Sequence, residues 1–261
     1  MKFRLKAFAL HFAGSATVIT LVLGGLYLGW YRWPGWYLTG SLAVAPIIAG
    51  VDVALGPLIT LLIANPAKPR RALARDVAVI VAVQLAALVY GAATLWQGRP
   101  LYYAFSVDRL QLVQASDLSA QEIARARREN AEFAPHWYSR PRWVWAPLPE
   151  DSGLRAQIVR SAIQGGDDVI QMPRYFRSWE RGLPELRARL RTVDQQHDIR
   201  LRKQMPLLRQ RVAQLGFAAD QPNTLLFTGR GTPLLAVVDG AGRIKAILCG
   251  YGNRLCLPIG S

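Results

Sequence analysis

One carboxylate, Asp52, stands at the centre of a 25-residue stretch, Gly40 to Ala64, that is otherwise without charge. If that stretch lies in hydrocarbon, an ionisable group at its middle costs ~2.5–3.5 kcal/mol on insertion scales and marks a functional candidate. Around it the chain reads Ala45-Pro46-Ile47-Ile48-Ala49-Gly50-Val51-Asp52-Val53-Ala54-Leu55-Gly56-Pro57. Each proline removes a backbone donor, so the pair predicts a kinked helix. The polar groups at matching depth are Thr17 and Thr20 on an earlier apolar run and Gln84 on a later one; His11 lies level with Thr60. Three chemistries fit Asp52: an interhelical hydrogen bond that fixes the packing, a polar contact for another protein's apolar helix, or a step in a proton path. Transport fits poorly, because no second ionisable group shares that depth. The partner contact would use Asp52, Pro57, Thr60 and Gln84.

Cys249 and Cys256 are the only cysteines. Outside the cytoplasm they are expected to form one disulfide closing a small loop. Free thiols are the alternative; a zinc site would have to recruit His136 and His197, which match no zinc pattern. The sequence contains no G-x-S-x-G, H-E-x-x-H, P-loop or G-x-G-x-x-G. No catalytic residue, cofactor or metal site is expected, and the chain does not read as an enzyme. Asp167-Asp168 follows a Gly-Gly turn and reads as a solvated loop rather than an acid/base pair. The clusters Arg187/Arg189/Arg191 and Arg200/Arg202/Lys203 read as solvated helix faces; lipid headgroups or an acidic protein are alternatives. Nucleic acid is not an expected partner, since no recognition motif accompanies the basic charge.

The elements that must position these residues follow from the charge distribution. Half of the 261 residues (51%) are apolar or aromatic and the net charge is +15. Residues 1–96 carry eight Lys/Arg and two Asp/Glu, against twenty-four and fifteen in residues 97–261. Ala7 to Tyr31, Gly40 to Ala64 and Val77 to Trp96 run 25, 25 and 20 residues with Asp52 as their only charge. About 20 apolar residues span a ~30 Å hydrocarbon core, so all three are candidate transmembrane helices. The basic start resembles a signal-peptide n-region, but the apolar run is too long and lacks an A-x-A site, so cleavage is not expected. Lys2, Arg4 and Lys6 precede the first span, and Lys68, Arg70, Arg71 and Arg75 separate the second from the third. The positive-inside rule puts both segments in the cytoplasm and everything after Gln97 outside it. Trp30, Tyr31, Trp33, Trp36, Tyr37 and Trp96 then fall at the outer interface, where aromatic rings anchor. Small residues at four-residue spacing, Ala9/Ala13, Ala45/Ala49, Ala82/Ala86 and Ala87/Gly91, would let the helices approach closely.

The expected organisation is a three-helix transmembrane domain over residues 1–97 and an extracytoplasmic α+β domain with an antiparallel sheet over 98–261. In the second part, Leu101 to Val107 reads as a strand paired with Leu110 to Val113. Ser119-Ala120-Gln121-Glu122 is a capping box opening a helix through about Glu132. A Pro/Trp-rich stretch runs from Pro135 to Pro149. Asp151 and Ser152 cap a helix that stops at Gly165-Gly166. Pro184 to about Arg202 and Pro206 to Leu215 read as a helical pair. Thr224 to Thr228, Leu234 to Val238 and Arg243 to Leu248 read as strands, the last two joined by the turn Asp239-Gly240-Ala241-Gly242.

The opening Met1-Lys2-Phe3-Arg4-Leu5-Lys6-Ala7-Phe8-Ala9-Leu10-His11-Phe12 with Ser15, the stretch Val51-Asp52-Val53-Ala54-Leu55-Gly56-Pro57-Leu58-Ile59-Thr60-Leu61, and Gln84 to Gly91 leading to Gly98-Arg99-Pro100 resemble the type IV pilin accessory proteins of the TfpX/TfpZ type. So does Phe105-x-x-Asp108-Arg109. The match covers the first ~110 residues well and the rest in general layout. The resemblance implies a multi-pass protein of the bacterial inner membrane. It would act on the type IV major pilin, through the pilin's transmembrane helix and head domain, as a subunit-specific chaperone or assembly modulator without catalytic activity. A membrane-anchored periplasmic sensor or scaffold for another ligand is the alternative; it fits less well because the cytoplasmic segments are too short to hold an output domain.

Overall fold

The three apolar runs fold as helices, the second of them broken where Pro46 and Pro57 interrupt the regular hydrogen bonding. The computed structural model describes residues 1–196 and 198–249. Helix α1 (Lys2–Leu26) continues through a π-helical turn, Tyr27–Tyr31. A four-residue helix, α2 (Gly35–Leu38), follows. The second run is α3 (Ala45–Ala49), a π-helical stretch over Gly50–Leu55, and α4 (Gly56–Ile63). The third is α5 (Arg70–Gln97). Lys2–Tyr31, Ala45–Ile63 and Arg70–Gln97 are each long and apolar enough to cross a membrane.

The chain divides into two compact units: Met1–Arg32 with Gly40–Gly98, and Trp33–Thr39 with Arg99–Ser261. In the first unit the inward stripe of α5 is Gln84, Leu88, Gly91 and Leu95, one residue per helical turn. Close approach is made at two glycines rather than along the alanine pairs. A Cβ on Gly91 would stand 2.6 Å from the Ile48 side chain, and one on Gly56 would stand 2.2 Å from that of Gln84. Ala9, Ala13, Ala82, Ala86 and Ala87 face outward.

The second unit is built on one sheet. Its strands are β1 (Pro100–Ser106), β2 (Arg109–Gln114), β3 (Arg142–Trp145), β4 (Arg177–Ser178), β5 (Thr224–Thr228), β6 (Leu234–Val238) and β7 (Ile244–Leu248). Among the described residues the order is β4-β3-β1-β2-β5-β6-β7. The sheet is mixed, which corrects the antiparallel expectation: β1 pairs with β3 and β2 with β5 in parallel. Both parallel pairs are joined through long helical crossovers, the connection that parallel pairing requires. Helices α6 (Ala120–Glu129), α7 (Ser152–Ile163), α8 (Trp179–Ala188) and α9 (Met205–Gln214) supply the cover.

Both faces of the sheet are buried, so β1 and β6 are apolar throughout rather than alternating. On one face Tyr103, Phe105, Phe227 and Leu234 pack with Leu186 of α8. On the other, Tyr102, Ala104 and Val144 pack with Phe133 and Phe176, and Leu235, Val237 and Ala246 pack with Leu208 and Val212 of α9.

Two helices open on the expected caps. Ser119 accepts from the Glu122 amide at 3.1 Å and Asp151 from the Leu154 amide at 2.6 Å. The first helix of the expected pair differs: α8 contains Pro184 in its interior and ends at Ala188. Beyond it the chain is drawn into a bridge in which Arg191 and Thr224 exchange backbone hydrogen bonds, both 3.0 Å. Those bonds replace the helical ones that a continuation to Arg202 would need.

The seven residues Trp33–Thr39, between the first two apolar helices, belong to the second unit. Leu38 is fully buried in the sheet core beside Tyr103 and Phe227. Its carbonyl accepts from the Arg230 and Gly231 amides at 2.8 and 3.3 Å. A Cβ on Gly229 would come within 2.5 Å of that carbonyl, so the Gly229-Arg230-Gly231 loop closes on the segment only because both flanking residues lack side chains. Trp33, Trp36 and Tyr37 pack on one another in tilted and edge-on contacts with centroids 5.9–6.0 Å apart. Trp33 and Tyr37 therefore line the core of this unit.

Candidate functional site

Pro57 starts the chain of cause that builds the site. The Gly56 amide donates to the Val51 carbonyl, a π-type step of five residues. The next such donor would be the N–H of residue 57, and proline has none. The carbonyl of Asp52 is thus left open within an apolar helix, where an unmet acceptor is costly. Gln84 meets it: its Nε2 donates to that carbonyl at 2.8 Å. The side chain reaches the backbone because Gly56 has no Cβ in its way. Gln84 Oε1 lies 2.8 Å from His11 Nε2, and His11 Nδ1 lies 2.6 Å from Thr60 Oγ1. An amide oxygen only accepts, so Nε2 carries the imidazole proton and Nδ1 accepts from the Thr60 hydroxyl. A single polar chain, Asp52 carbonyl–Gln84–His11–Thr60, ties all three helices together.

The interior position of these groups is pronounced: Asp52, Thr60 and Gln84 are 5%, 2% and 7% exposed. Pro57 and Gly56 are buried with them. Thr17 and Thr20 are not part of the arrangement. Both face outward, and Thr17 donates to the carbonyl of Ala13 in its own helix at 2.8 Å.

The interhelical bond at Asp52 is made by its backbone, not by its carboxylate. Among the described residues that carboxylate has no hydrogen bond or ion pair. It lines a cleft of about 430 Å³ bounded by α1 from Ala7 to Ile19 and by α5 from Val77 to Leu88. His11, Thr60 and Gln84 also line it, and Ser15 is a further polar group on its wall. Sequence reading placed His11 level with Thr60 but left it out of the site; the signal was that it is the one histidine in the first apolar run.

The second unit has a cleft of its own, about 490 Å³, lined by Phe133, Arg142, Trp143, Trp179 and Glu180 among others. Trp143 and Trp179 meet at 5.3 Å, and the Arg142 guanidinium lies 4.6 Å from the Phe133 ring centre. The arrangement is mainly structural, since the same Arg142 side chain also donates to the carbonyl of Glu132. Elsewhere the charged candidates are engaged locally. Asp168 caps the turn at Val169, accepting from its amide at 2.6 Å. Arg189, Arg191 and Arg200 pair with Glu185, Asp108 and Asp198. Glu122 pairs with Arg174 at 2.7 Å, both largely buried, a cross-link between α6 and the Pro173–Tyr175 turn that sequence spacing did not suggest. Cys249 is buried. Cys256 and His197 lie outside the described residues, and so does the expected cysteine pairing.

Fold and site together define a class: an apolar three-helix unit with a polar interior, carried on one chain with a mixed-sheet α+β unit. The comparisons with known proteins narrow it. The chain is 31% identical over 124 residues to the fimbrial assembly protein of serogroups C1 and C2 from Dichelobacter nodosus, covering 48% of this chain and 95% of that one. It is 28% identical over 196 residues to the serogroup I fimbrial assembly protein of the same organism, 74% of each chain, and 26% identical over 196 residues to that of serogroup E1. No protein-family profile and no solved structure matches. The chain belongs to the family of fimbrial assembly proteins, the kind of protein to which its motifs pointed.

Proposed function

We propose that this protein is an inner-membrane accessory factor of type IV fimbrial assembly, not an enzyme, and that it binds the major pilin as a subunit-specific chaperone or assembly modulator. The observation that carries the reading is the inverted first unit. Its polar groups, Asp52, Thr60 and Gln84, are inside, while Leu10, Leu62, Val83 and Tyr90 stand exposed. Water would favour the reverse; lipid favours this arrangement. A pilin subunit awaiting assembly has an apolar helix in the membrane and a folded head outside it, and the two units of this chain suit those two parts.

The chain path supports the topology with a cytoplasmic N-terminus. Trp33–Thr39 follow the first apolar helix and Arg99 onward follow the third, yet they form one unit. They must therefore share a side, as three alternating crossings require. With Lys2, Arg4, Lys6 and the Lys68–Arg75 segment in the cytoplasm, that side is the periplasm. The names of the relatives supply the process. Affinity capture of the tagged full-length protein from native membranes should bring down the major pilin well above an unrelated inner-membrane control. Capture at the control level, with surface fimbriae unchanged in a deletion strain, would refute the reading.

A further inference from the structure

The polar chain joins Gln84, His11 and Thr60 but leaves the Asp52 carboxyl out. Pro57 opens the Asp52 carbonyl, Gln84 meets it, His11 joins Gln84 to Thr60. What remains is the Asp52 carboxyl, 5% exposed, unpartnered among the described residues, on the wall of the cleft. A buried carboxyl without a partner is costly in water-free surroundings, and among the described residues no donor bonds to it, Ser15 on the same wall included. The cleft is elongated. It runs along α1 from Ala7 to Ile19, about 18 Å at 1.5 Å per residue. Its facing wall on α5, Val77 to Leu88, is of similar length, and the Asp52-to-Thr60 segment contributes to the lining between them. Gly14 and Ser15 keep the α1 wall low. Apolar walls, helical length and one open acceptor part-way along describe a seat for a helix.

We infer that the groove between α1 and α5 seats an apolar transmembrane helix of the pilin partner, and that Asp52 accepts a hydrogen bond from a donor group, amine, amide or hydroxyl, carried by that helix at the same depth. This rests on the pilin-binding reading and sharpens it to one groove, one atom group and one kind of partner chemistry. His11, Thr60 and Gln84 are already joined in the seat's own polar chain, so the partner's donor is assigned to the Asp52 carboxyl.

Site-specific photo-crosslinking in the full-length protein, in native membranes, separates the groove from the rest of the surface. A crosslinking residue at Val18 or Val81 lies on the groove; one at Val83, two residues along the same helix, faces outward. Pilin should be captured from Val18 and Val81 and not from Val83. Asp52→Leu should lower that yield about three- to twentyfold, the range of an intramembrane hydrogen bond, at unchanged abundance of the protein. Asp52→Asn, which retains an acceptor oxygen, should keep most of it and so guards against a folding defect in the leucine variant. Pilin co-purification with crosslinks only at Val83 would overturn the groove and leave the pilin-binding reading standing. Crosslinks at Val81 to a second copy of this chain, with no pilin in the purified material, would overturn both. A yield indifferent to Asp52→Leu would overturn the role of the carboxyl.

Discussion

Leu38 and Leu62 are the same residue under opposite conditions: the first is fully buried among the sheet residues of the second unit, the second is 75% exposed on α4 of the first. The polar side chains are distributed the other way. Gln84 and Thr60 are interior in the helical unit, whereas ion pairs such as Arg189–Glu185, Arg209–Asp194 and Arg243–Asp239 lie at the surface of the sheet unit. The sheet unit is organised by water: apolar area is removed from solvent on both faces of the sheet, at roughly 25 cal/mol per Å². In the helical unit apolar area is left outside, and cohesion must come from glycine contacts and the polar chain. On the proposed membrane location of the helical unit, two solvents acting on one chain account for both patterns.

Truncation of the two leucines should break the symmetry most visibly. Leu38→Ala should destabilise the sheet unit by about 2–5 kcal/mol, the range for a buried leucine. Leu62→Ala should leave stability within about 0.5 kcal/mol. Limited proteolysis or thermal melting of the purified full-length protein would measure both. Equal losses would mean that the exposed face of α4 is covered within the protein.

The cysteine pair comes next in size. If Cys249 and Cys256 are linked, as an exported domain would allow, reduction should cost the sheet unit about 2 kcal/mol and leave the helical unit untouched. Non-reducing mass spectrometry of protein from native membranes should find the two joined; two alkylatable thiols would contradict the pairing.

Gln84→Leu tests the other side of the comparison. It keeps the volume against Gly56 but strands the Asp52 carbonyl and one nitrogen of His11, for an expected loss of about 1 kcal/mol in detergent. A stabilised variant would show that the polar chain does not hold the helices.

The smallest effect is expected at the β6–β7 turn. Asp239 accepts from the Arg243 amide and, more weakly placed, from the Arg243 side chain and the Ala241 amide, which hold its carboxyl down at about 2. A carboxyl depressed on folding adds stability that is present above its ordinary value near 3.8 and lost as pH falls through 2. Asp239→Asn should therefore flatten the acid limb of the stability curve between about pH 4 and pH 2 and change little at neutral pH.

Local signals were legible in the sequence and distant ones were not. The three apolar runs, the Ser119 and Asp151 caps and the Asp239-Gly240-Ala241-Gly242 turn are written in neighbouring residues, and the structure has them where the spacing puts them. The strands β3 and β4 lie in Pro- and Trp-rich or irregular sequence and exist only because β1 offers an edge to β3 and β3 one to β4. Parallel pairing of β2 with β5 joins residues more than a hundred apart, beyond any local pattern. Trp33, Trp36 and Tyr37 look like interfacial anchors, and nothing near them indicates that Leu38 fills the core of a sheet that begins at Pro100. At the site, depth-matching correctly associated Asp52 with Gln84 and His11 with Thr60. It could not show that the backbone, rather than the carboxyl, of Asp52 makes the bond, because that depends on which carbonyl Pro57 leaves open.

The proposed membrane topology is tested most directly by the side on which each loop is reached. Single cysteines at Ala67, between the second and third apolar helices, and at Arg230, in the loop that clasps Trp33–Thr39, would report it in a background with Cys249 and Cys256 replaced by serine. In spheroplasts, a membrane-impermeant maleimide should label position 230 at once and position 67 only after the membrane is permeabilised. Labelling of position 67 from outside, or protection of position 230 until permeabilisation, would contradict the account.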